Sequence, residues 1–411
     1  MRNSAVHAVR RGLVCAFSCA ALSAALPAAS AAAPPVAPRP EESARLPFTA
    51  RYEAVQHGGV VRAANTSATG AAGTESANDG ATIAYVDVDA DPNTYNSSRA
   101  ELRVPDGARV SWARLYWGGN LRVGEQKPPK DNGRVLIAEP GGQYKAVLAD
   151  TTIGHRTADG ADAFQASADV TELVRSSRSG LWTVAQVNVA MGRSAVGGWG
   201  GWTLVAAYEK ADEPLRRLAV WDGFEALGPG NPELAVPLAL GAHRVPNGAD
   251  GRLGIVGYDG DRGTTGDYLA VETGRAKSVT RSVISDSANS ADDVMNSSIT
   301  ESGTSRMERL PAHQNTLGYD SDVFDLRGAL RHGADRFHIR LGSRKDAVWL
   351  GALFLQADLE QPARGQAGPG KPGLGRPGPG KPGLAQPGLG KPGAGLLPLV
   401  APGRGAEPDA D

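Results

Sequence analysis

The segment from Trp202 to Tyr208 is a short run with no polar face, and that restricts the fold more than any other stretch of this chain. Taken as an extended strand, it puts Trp202, Leu204, Ala206 and Tyr208 on one side and Thr203, Val205 and Ala207 on the other. Side chains alternate across a strand, so a strand apolar on both sides has to be covered on both sides. The loop before it, Gly197, Gly198, Trp199, Gly200 and Gly201, permits close backbone approach. After it, a second strand from Leu218 ends in Trp221, Asp222, Gly223 and Phe224.

The rest of the region from Phe48 to Leu359 reads the same way, as short β runs broken by Gly, Asp, Asn and Pro. Ile83 to Val88, Val110 to Trp117, Arg134 to Ala138, Tyr144 to Leu148, Trp182 to Val189, Leu253 to Tyr258, Arg336 to Leu341 and Val348 to Leu355 are such runs. This spacing, without long helical periodicity, predicts sandwiches or barrels. Arg336 to Leu341 alternates polar and apolar, which marks a strand with one wet face.

An internal repeat sharpens the expectation. Asp169-Val-Thr-Glu-Leu-Val, a turn at Ser179 and Gly180, a strand, and then Trp202 to Tyr208 are echoed by Asp322-Val-Phe-Asp-Leu, Gly333, the Phe337 to Leu341 strand and Val348 to Leu355. Each copy reads as acidic turn, helical turn, outer strand, inner strand. The first copy is similar to the segment before the last strands of galactose-binding-type jelly rolls. The expected fold is all-β: two related jelly-roll-like sandwiches in tandem, residues 47–222 and 223–360, followed by a disordered tail. A Pro- and Ala-rich linker over 32–46 and an exposed loop from Thr66 to Gly80 complete this division.

The N-terminus carries an address. Arg10 and Arg11 precede an apolar run from Gly12 to Leu26, and Ala29, Ser30 and Ala31 offer a small-residue cleavage site, so residues 1–31 read as a secretory signal. Both cysteines, Cys15 and Cys19, fall inside it, leaving the mature chain without disulfides, thiolate metal sites or a cysteine nucleophile. The full chain has a formal charge of −1, and the signal takes basic residues with it. A mildly acidic chain has no broad attraction for nucleic acid, and no later segment has the apolar length of a membrane span. From Gly368 to Pro392 five-residue units open on Gly and close on Pro, with Lys371, Arg376, Lys381, Gln386 and Lys391 at the fourth position. That period is not the collagen triplet, so residues 361–411 read as a disordered arm.

Three acidic clusters stand out: Asp87, Asp89 and Asp91; Asp259, Asp261 and Asp267; Asp320, Asp322 and Asp325. Alternate aspartates can present several oxygens to calcium, which makes it the one candidate cofactor, although the first cluster lacks the glycine and glutamate of an EF-hand. The competing role is turn chemistry, because aspartates hydrogen-bond their own backbone. Asn96-Ser-Ser and Asn296-Ser-Ser read as turn caps for buried backbone groups. Trp199, Trp221 and Tyr95, with Asp222 or Asp261 taking hydroxyl groups, form a candidate glycan-binding set, whereas Trp112, Trp117, Trp182, Trp202 and Trp349 read as core. No Gly-x-Ser-x-Gly, His-Glu-x-x-His, P-loop or dinucleotide fingerprint occurs. The mature histidines, His57, His155, His243, His313, His332 and His338, show no ligand spacing.

Taken together, Tyr85-Val-Asp-Val-Asp-Ala-Asp-Pro, Asn96-Ser-Ser, Leu115-Tyr-Trp-Gly, Gly201-Trp-Thr-Leu-Val, Trp221-Asp-Gly-Phe, Tyr258-Asp-Gly-Asp-Arg-Gly with Gly266-Asp, and Gly318-Tyr-Asp-Ser-Asp-Val resemble an uncharacterised domain of exported actinobacterial proteins. That domain is often found ahead of adhesin-like repeat modules and a wall anchor. The resemblance implies a secreted or surface protein and carries no catalytic residues. Relatives often have cysteines where this chain runs from Thr66 to Asp79, and Leu397-Pro-Leu-Val-Ala is not a sortase signal. The expected function is noncatalytic binding of a glycan or a surface protein; the alternative is a hydrolase using an aspartate pair from the three clusters. Nothing in the sequence sets an oligomeric state.

Overall fold

The structure, a computed structural model, describes residues 40–360 apart from 74, 76 and 306. The signal, most of the linker and the repeat tail lie outside the described residues.

The chain is all-β, as its patterning predicts. The eight strands that build the first roll are β1 (Leu46–Thr66), β2 (Ser97–Leu102), β3 (Arg109–Asn120), β4 (Arg134–Ala138), β5 (Lys145–Leu148), β6 (Ala161–Asp169), β7 (Gly180–Ala185) and β8 (Gly200–Glu209), with Ile153–Ala158 added at the free edge of β6. They form an inner sheet in the order β1-β8-β3-β6 and an outer sheet in the order β2-β7-β4-β5. The next eight are β9 (Leu215–Leu227), β10 (Glu233–Ala239), β11 (Gly251–Tyr258), β12 (Tyr268–Arg275), β13 (Ser278–Ile284), β14 (Tyr319–Asp325), β15 (Arg336–Gly342) and β16 (Val348–Asp358). Their orders, β9-β16-β11-β14 and β10-β15-β12-β13, repeat the first set strand for strand. Each set thus has the two facing groups of four strands and the crossing connections of a jelly roll; the inner groups join through β1 and β9 in one ten-stranded sheet, and Arg309–Leu310 adds a fifth strand to the first outer group. The repeat seen in the sequence is the end of each roll: the helical turn α1 (Thr171–Arg175) between β6 and β7, and the turn after Asp325 between β14 and β15.

Three apolar layers hold this together. Leu115, Trp117, Trp182, Trp202 and Leu204 fill the first roll. Leu253, Ile255, Phe337, Ile339, Leu353 and Leu355 fill the second. A third layer, with Tyr116, Val205, Val220, Tyr258, Tyr319 and Trp349, lies between the two inner sheets. This accounts for the strand with no polar face: on β8, Trp202, Leu204 and Ala206 face their own roll, and Val205 and Ala207 face the other. On β15, by contrast, Phe337, Ile339 and Leu341 are buried while Arg336, His338 and Arg340 stay partly wet.

The rolls are not separable at residue 222. That position falls inside β9, and β1 serves both rolls: residues 46–57 pair with β9 and residues 58–66 with β8. Gly58 marks the handover, with φ at +136°, and a Cβ there would overlap the Tyr208 carbonyl oxygen, so only glycine fits. Two expectations about loops need correction. Within the linker, Glu42–Ser43 pairs in parallel with Ile153 and Gly154. Within the Thr66 to Gly80 loop, Ala68–Gly70 pairs with Thr82–Tyr85, and Asn78 is fully buried.

Candidate functional site

Trp199 is the clearest correction. It is 0% exposed, packed in the layer between the rolls with its ring centroid 5.7 Å from that of Tyr258, so it cannot stack on a sugar. Its flanking glycines do not expose it; they let neighbours close over it. Trp221 is buried in the second roll's core. Asp222 is also buried, its carboxylate held by Arg51 at 2.8 and 2.9 Å and by the Tyr116 hydroxyl at 3.2 Å. Tyr95 remains half-buried near the surface, with Lys127 Nζ 4.5 Å over its ring and its hydroxyl donating to the Val187 carbonyl. The glycan set from the sequence is therefore dispersed, and only Asp261 of its members belongs to a larger constellation.

The three acidic clusters separate into two kinds. In the first, Asp87 accepts from Ser97 Oγ, Asp89 accepts from Asp91 N, Thr94 Oγ1 and the Tyr144 hydroxyl, and Asp91 accepts from Asn93 N and Nδ2. Each thus has at least one oxygen taken by a hydrogen bond from the same turn or its neighbours, and none is among the buried unpartnered atoms, as turn chemistry requires. Asp325 also leaves its cluster and pairs with Arg327 on the surface.

Asp259, Asp261, Asp267, Asp320 and Asp322 do come together. They occupy the β11–β12 loop and the start of β14, and three residues that sequence reasoning did not select join them: Asp79 from the first roll, Asp293 from the long β13–β14 connection, and Asp346 from the β15–β16 loop. Jelly-roll connectivity puts alternate loops at one end of the sandwich, and this gathers aspartates far apart in sequence. Asn78 Nδ2 donates to Asp259 at 3.0 Å, tying the first roll's loop to this end of the second.

The local geometry has a recurring form. Asp267 Oδ2 accepts from Val294 N at 2.7 Å and Met295 N at 2.6 Å, while Oδ1 is buried without a partner. Asp293 Oδ2 accepts from Gly263 N at 2.8 Å, and its Oδ1 is likewise unpartnered. Asp320 Oδ1 accepts from Ser298 N at 3.0 Å, and its Oδ2 is unpartnered. Asp322 follows the pattern, with Oδ1 taking Thr300 N and Oδ2 left alone. In each, one oxygen is anchored by backbone and the other is aimed into the protein with nothing to accept from. None of the eight aspartates forms a salt bridge among the described residues.

Burial and mutual repulsion shift these groups toward their protonated forms. Burial, then the charges of Asp346 and Asp261, push Asp259 well above the usual carboxylate range. Burial with Asp322 beside it does the same to Asp320. Asp261 and Asp267 are pushed up to about 7 and Asp346 to about 6, burial being the main cause in each. As the side chains lie, no group of three or more His, Cys, Asp or Glu among the described residues is disposed to hold a metal ion. A cation here would have to draw on carbonyl and amide oxygens as well.

A second feature lies at the seam of the rolls. A cleft of about 500 Å³ is walled by β1, β11, β14, β16, the end of β2 and Glu301, Ser302, Thr304 and Met307 of the β13–β14 connection. Val60, Val323 and Phe354 form its apolar floor, and Arg62, Arg252 and Glu301 are among its charged walls. Arg252 and Glu301 pair across the rim at 2.6 Å, both side chains about half exposed. Nothing in the sequence signals this cleft, because its walls come from both rolls.

No family model matches the chain, and no curated protein matches it. Among solved structures, the major capsid protein P2 from bacteriophage PM2 aligns over 66% of this chain and 96% of its own at 11% identity, with a TM-score of 0.17, an overlap too slight to carry an argument. No helix of the described residues is long and apolar enough to cross a membrane.

Proposed function

We propose that this is a secreted or cell-surface binding protein, without catalysis of its own, that captures its ligand in the cleft between the two rolls. The observation that carries the reading is the cleft itself: a concavity of about 500 Å³ where strands of the two rolls meet, apolar at its floor and charged at its walls. Ligand sites favour such interfaces, with few polar groups set around an apolar surface. The signal-like N-terminus and the resemblance to exported actinobacterial domains support the location.

The lining favours a surface-protein segment over a neutral glycan. Arg62, Arg103 and Arg252 face Glu101 and Glu301, a pattern suited to an apolar side chain flanked by charge. Its one aromatic ring, Phe354, is 4% exposed and offers no open face for a sugar. The test is a binding screen of the mature protein against surface-protein fragments and glycans, repeated with the double reversal Arg252→Glu and Glu301→Lys. Affinity for the captured ligand should fall about tenfold or more while Tm stays close to the parent value, since the pair is half exposed. Unchanged affinity would move the site away from the cleft.

The alternative, a wall-polymer hydrolase, has its accessible acid pair in Asp261 and Asp346, where Asp261 N donates to Asp346 Oδ2 at 3.1 Å. Turnover of peptidoglycan or polysaccharide that is lost in Asp346→Asn would establish that reading in place of binding.

A further inference from the structure

We propose that the acidic loop end of the second roll is a calcium site, with Asp267, Asp293 and Asp320 as its carboxylate ligands and the Met295 carbonyl among its neutral ones. The three carboxylates come from three segments, the β11–β12 loop, the β13–β14 connection and the second residue of β14; the charge of Asp293 acts on Asp267, and those of Asp267 and Asp293 act on Asp320. Each has one oxygen fixed by a backbone N–H and the second unpartnered and buried. Outer hydrogen bonds that orient a ligand while leaving its other oxygen available are what supports a metal centre.

Burial makes this more than a collection of acids. Asp320 is 0% exposed and Asp267 is 1% exposed, so their free oxygens have no bulk water to accept from. A buried carboxylate without a partner is among the costliest arrangements in a protein. The space is also kept open. Asp320 Oδ2 lies over Gly260, 2.7 Å from where a Cβ would stand, and the Met295 carbonyl oxygen lies closer still. Any side chain at that position would fill the gap the two oxygens share.

The donor chemistry selects the ion class. The unpartnered atoms of the aspartates are oxygens, Asn78 Oδ1 and Asn296 Oδ1 add two from buried amides, and no cysteine lies among the described residues. Calcium takes six to eight oxygens from carboxylates, carbonyls and water in flexible geometry, whereas magnesium demands a near-ideal octahedron. Because the carboxylates do not yet converge as they lie, an ion that tolerates irregular geometry and draws ligands inward is the better fit. Arg262 lies near enough for its charge to favour ionised Asp293, but its guanidinium donates to the Gln314 carbonyl at 2.8 Å and leaves the free carboxylate oxygens without a hydrogen-bond donor.

The site bears on the cleft without depending on it. Asp293 and Met295 lie on the same connection whose Glu301, Ser302, Thr304 and Met307 wall the cleft, so an ion would order one end of that connection.

The experiment is thermal unfolding of the mature protein after chelation, with calcium chloride or magnesium chloride added back, alongside titration calorimetry with calcium. Calcium at a hundredfold excess over Kd should raise Tm by about 4 °C, with a smaller effect from magnesium. Asp320→Asn should abolish the calcium shift, while its metal-free Tm should equal or exceed that of the metal-free parent, because an amide in that buried place is free of the desolvation and repulsion that burden the acid. If that variant does not fold, Asp293→Asn at the half-buried position gives the same readout. Asp89→Asn, in the turn-bonded cluster, should keep the full shift. Equal Tm with calcium and with chelator, together with no calorimetric heat, would overturn the proposal, as would loss of the shift in Asp89→Asn with retention in Asp320→Asn. The cleft-binding screen is read separately, so failure of either result leaves the other standing.

Discussion

Replacing Trp199 by alanine should cost about 3–5 kcal/mol of stability, the usual range for removing a large buried ring, read as a fall in the denaturant midpoint. The ring fills the layer between the rolls beside Tyr258. Gly318, with φ at +81°, would put a Cβ 2.8 Å from Trp199 Cβ, and Gly201 would put one 2.7 Å from Tyr319. In the sequence these glycines mark an unusual place, and that much was legible. What they do there was not, because a glycine flank permits either exposure or close packing, and the choice is made by a partner strand more than a hundred residues away. The aspartates show the same division. Alternate spacing identifies Asp259, Asp261, Asp267, Asp320 and Asp322, but Asp87, Asp89 and Asp91 share that spacing and differ only in having Tyr144, Thr94 and Ser97 at hand to satisfy them.

At the scale of elements, Gln165 on β6 is the polar pin between the inner sheets. Its Nε2 donates to the carbonyls of Gly223 at 2.9 Å and Gly351 at 3.0 Å, and its Oε1 accepts from the Tyr258 hydroxyl at 2.9 Å. Gln165→Leu leaves three buried groups unsatisfied, and we expect a loss of about 3 kcal/mol or more in chemical unfolding. The edge strand Glu42–Ser43 is held through His155, whose two ring nitrogens lie 2.8 Å from Glu42 and from Asp162. Burial draws the imidazole's pKa down, but the hydrogen bonds to the two acids outweigh it, and the net shift is upward. A raised pKa in the folded state stabilises the protein below the unfolded value near 6.5, and the contribution is lost as pH rises through the folded value. The Tm difference between the parent and His155→Gln should therefore be larger at about pH 5.5 than at about pH 8.5. The inner strands were readable because both faces of β8 and β16 are apolar. The first half of β1 was not, since residues 46–57 alternate weakly and are mostly half exposed.

For the whole molecule, the internal repeat revealed two rolls, and the identical strand orders establish the duplication. The boundary between them was misplaced for a physical reason: periodicity locates strands but not which sheet each half of a long strand joins. A fragment ending at Asp222 divides β9 and removes the partner of residues 46–57. We expect it to lack cooperative thermal unfolding, whereas residues 40–360 should melt in one transition, both followed by circular dichroism. The gathering of loops at one end, and the cleft along the seam, belong to this scale alone, because each is made of segments that sequence distance keeps apart.

The handover along β1 has a further consequence for the order of events as the chain is made. Leu46–Thr66 emerges early, yet both of its neighbours, Gly200–Glu209 and Leu215–Leu227, follow much later, and the second roll closes only on Val348–Asp358. Contacts of such long range form slowly, since the loop they close must first be confined. Synthesis therefore presents the two rolls in turn: the first has all eight of its strands once Glu209 is made, residues 46–57 of β1 wait for Leu215–Leu227, and only the second roll waits for the end of the described chain.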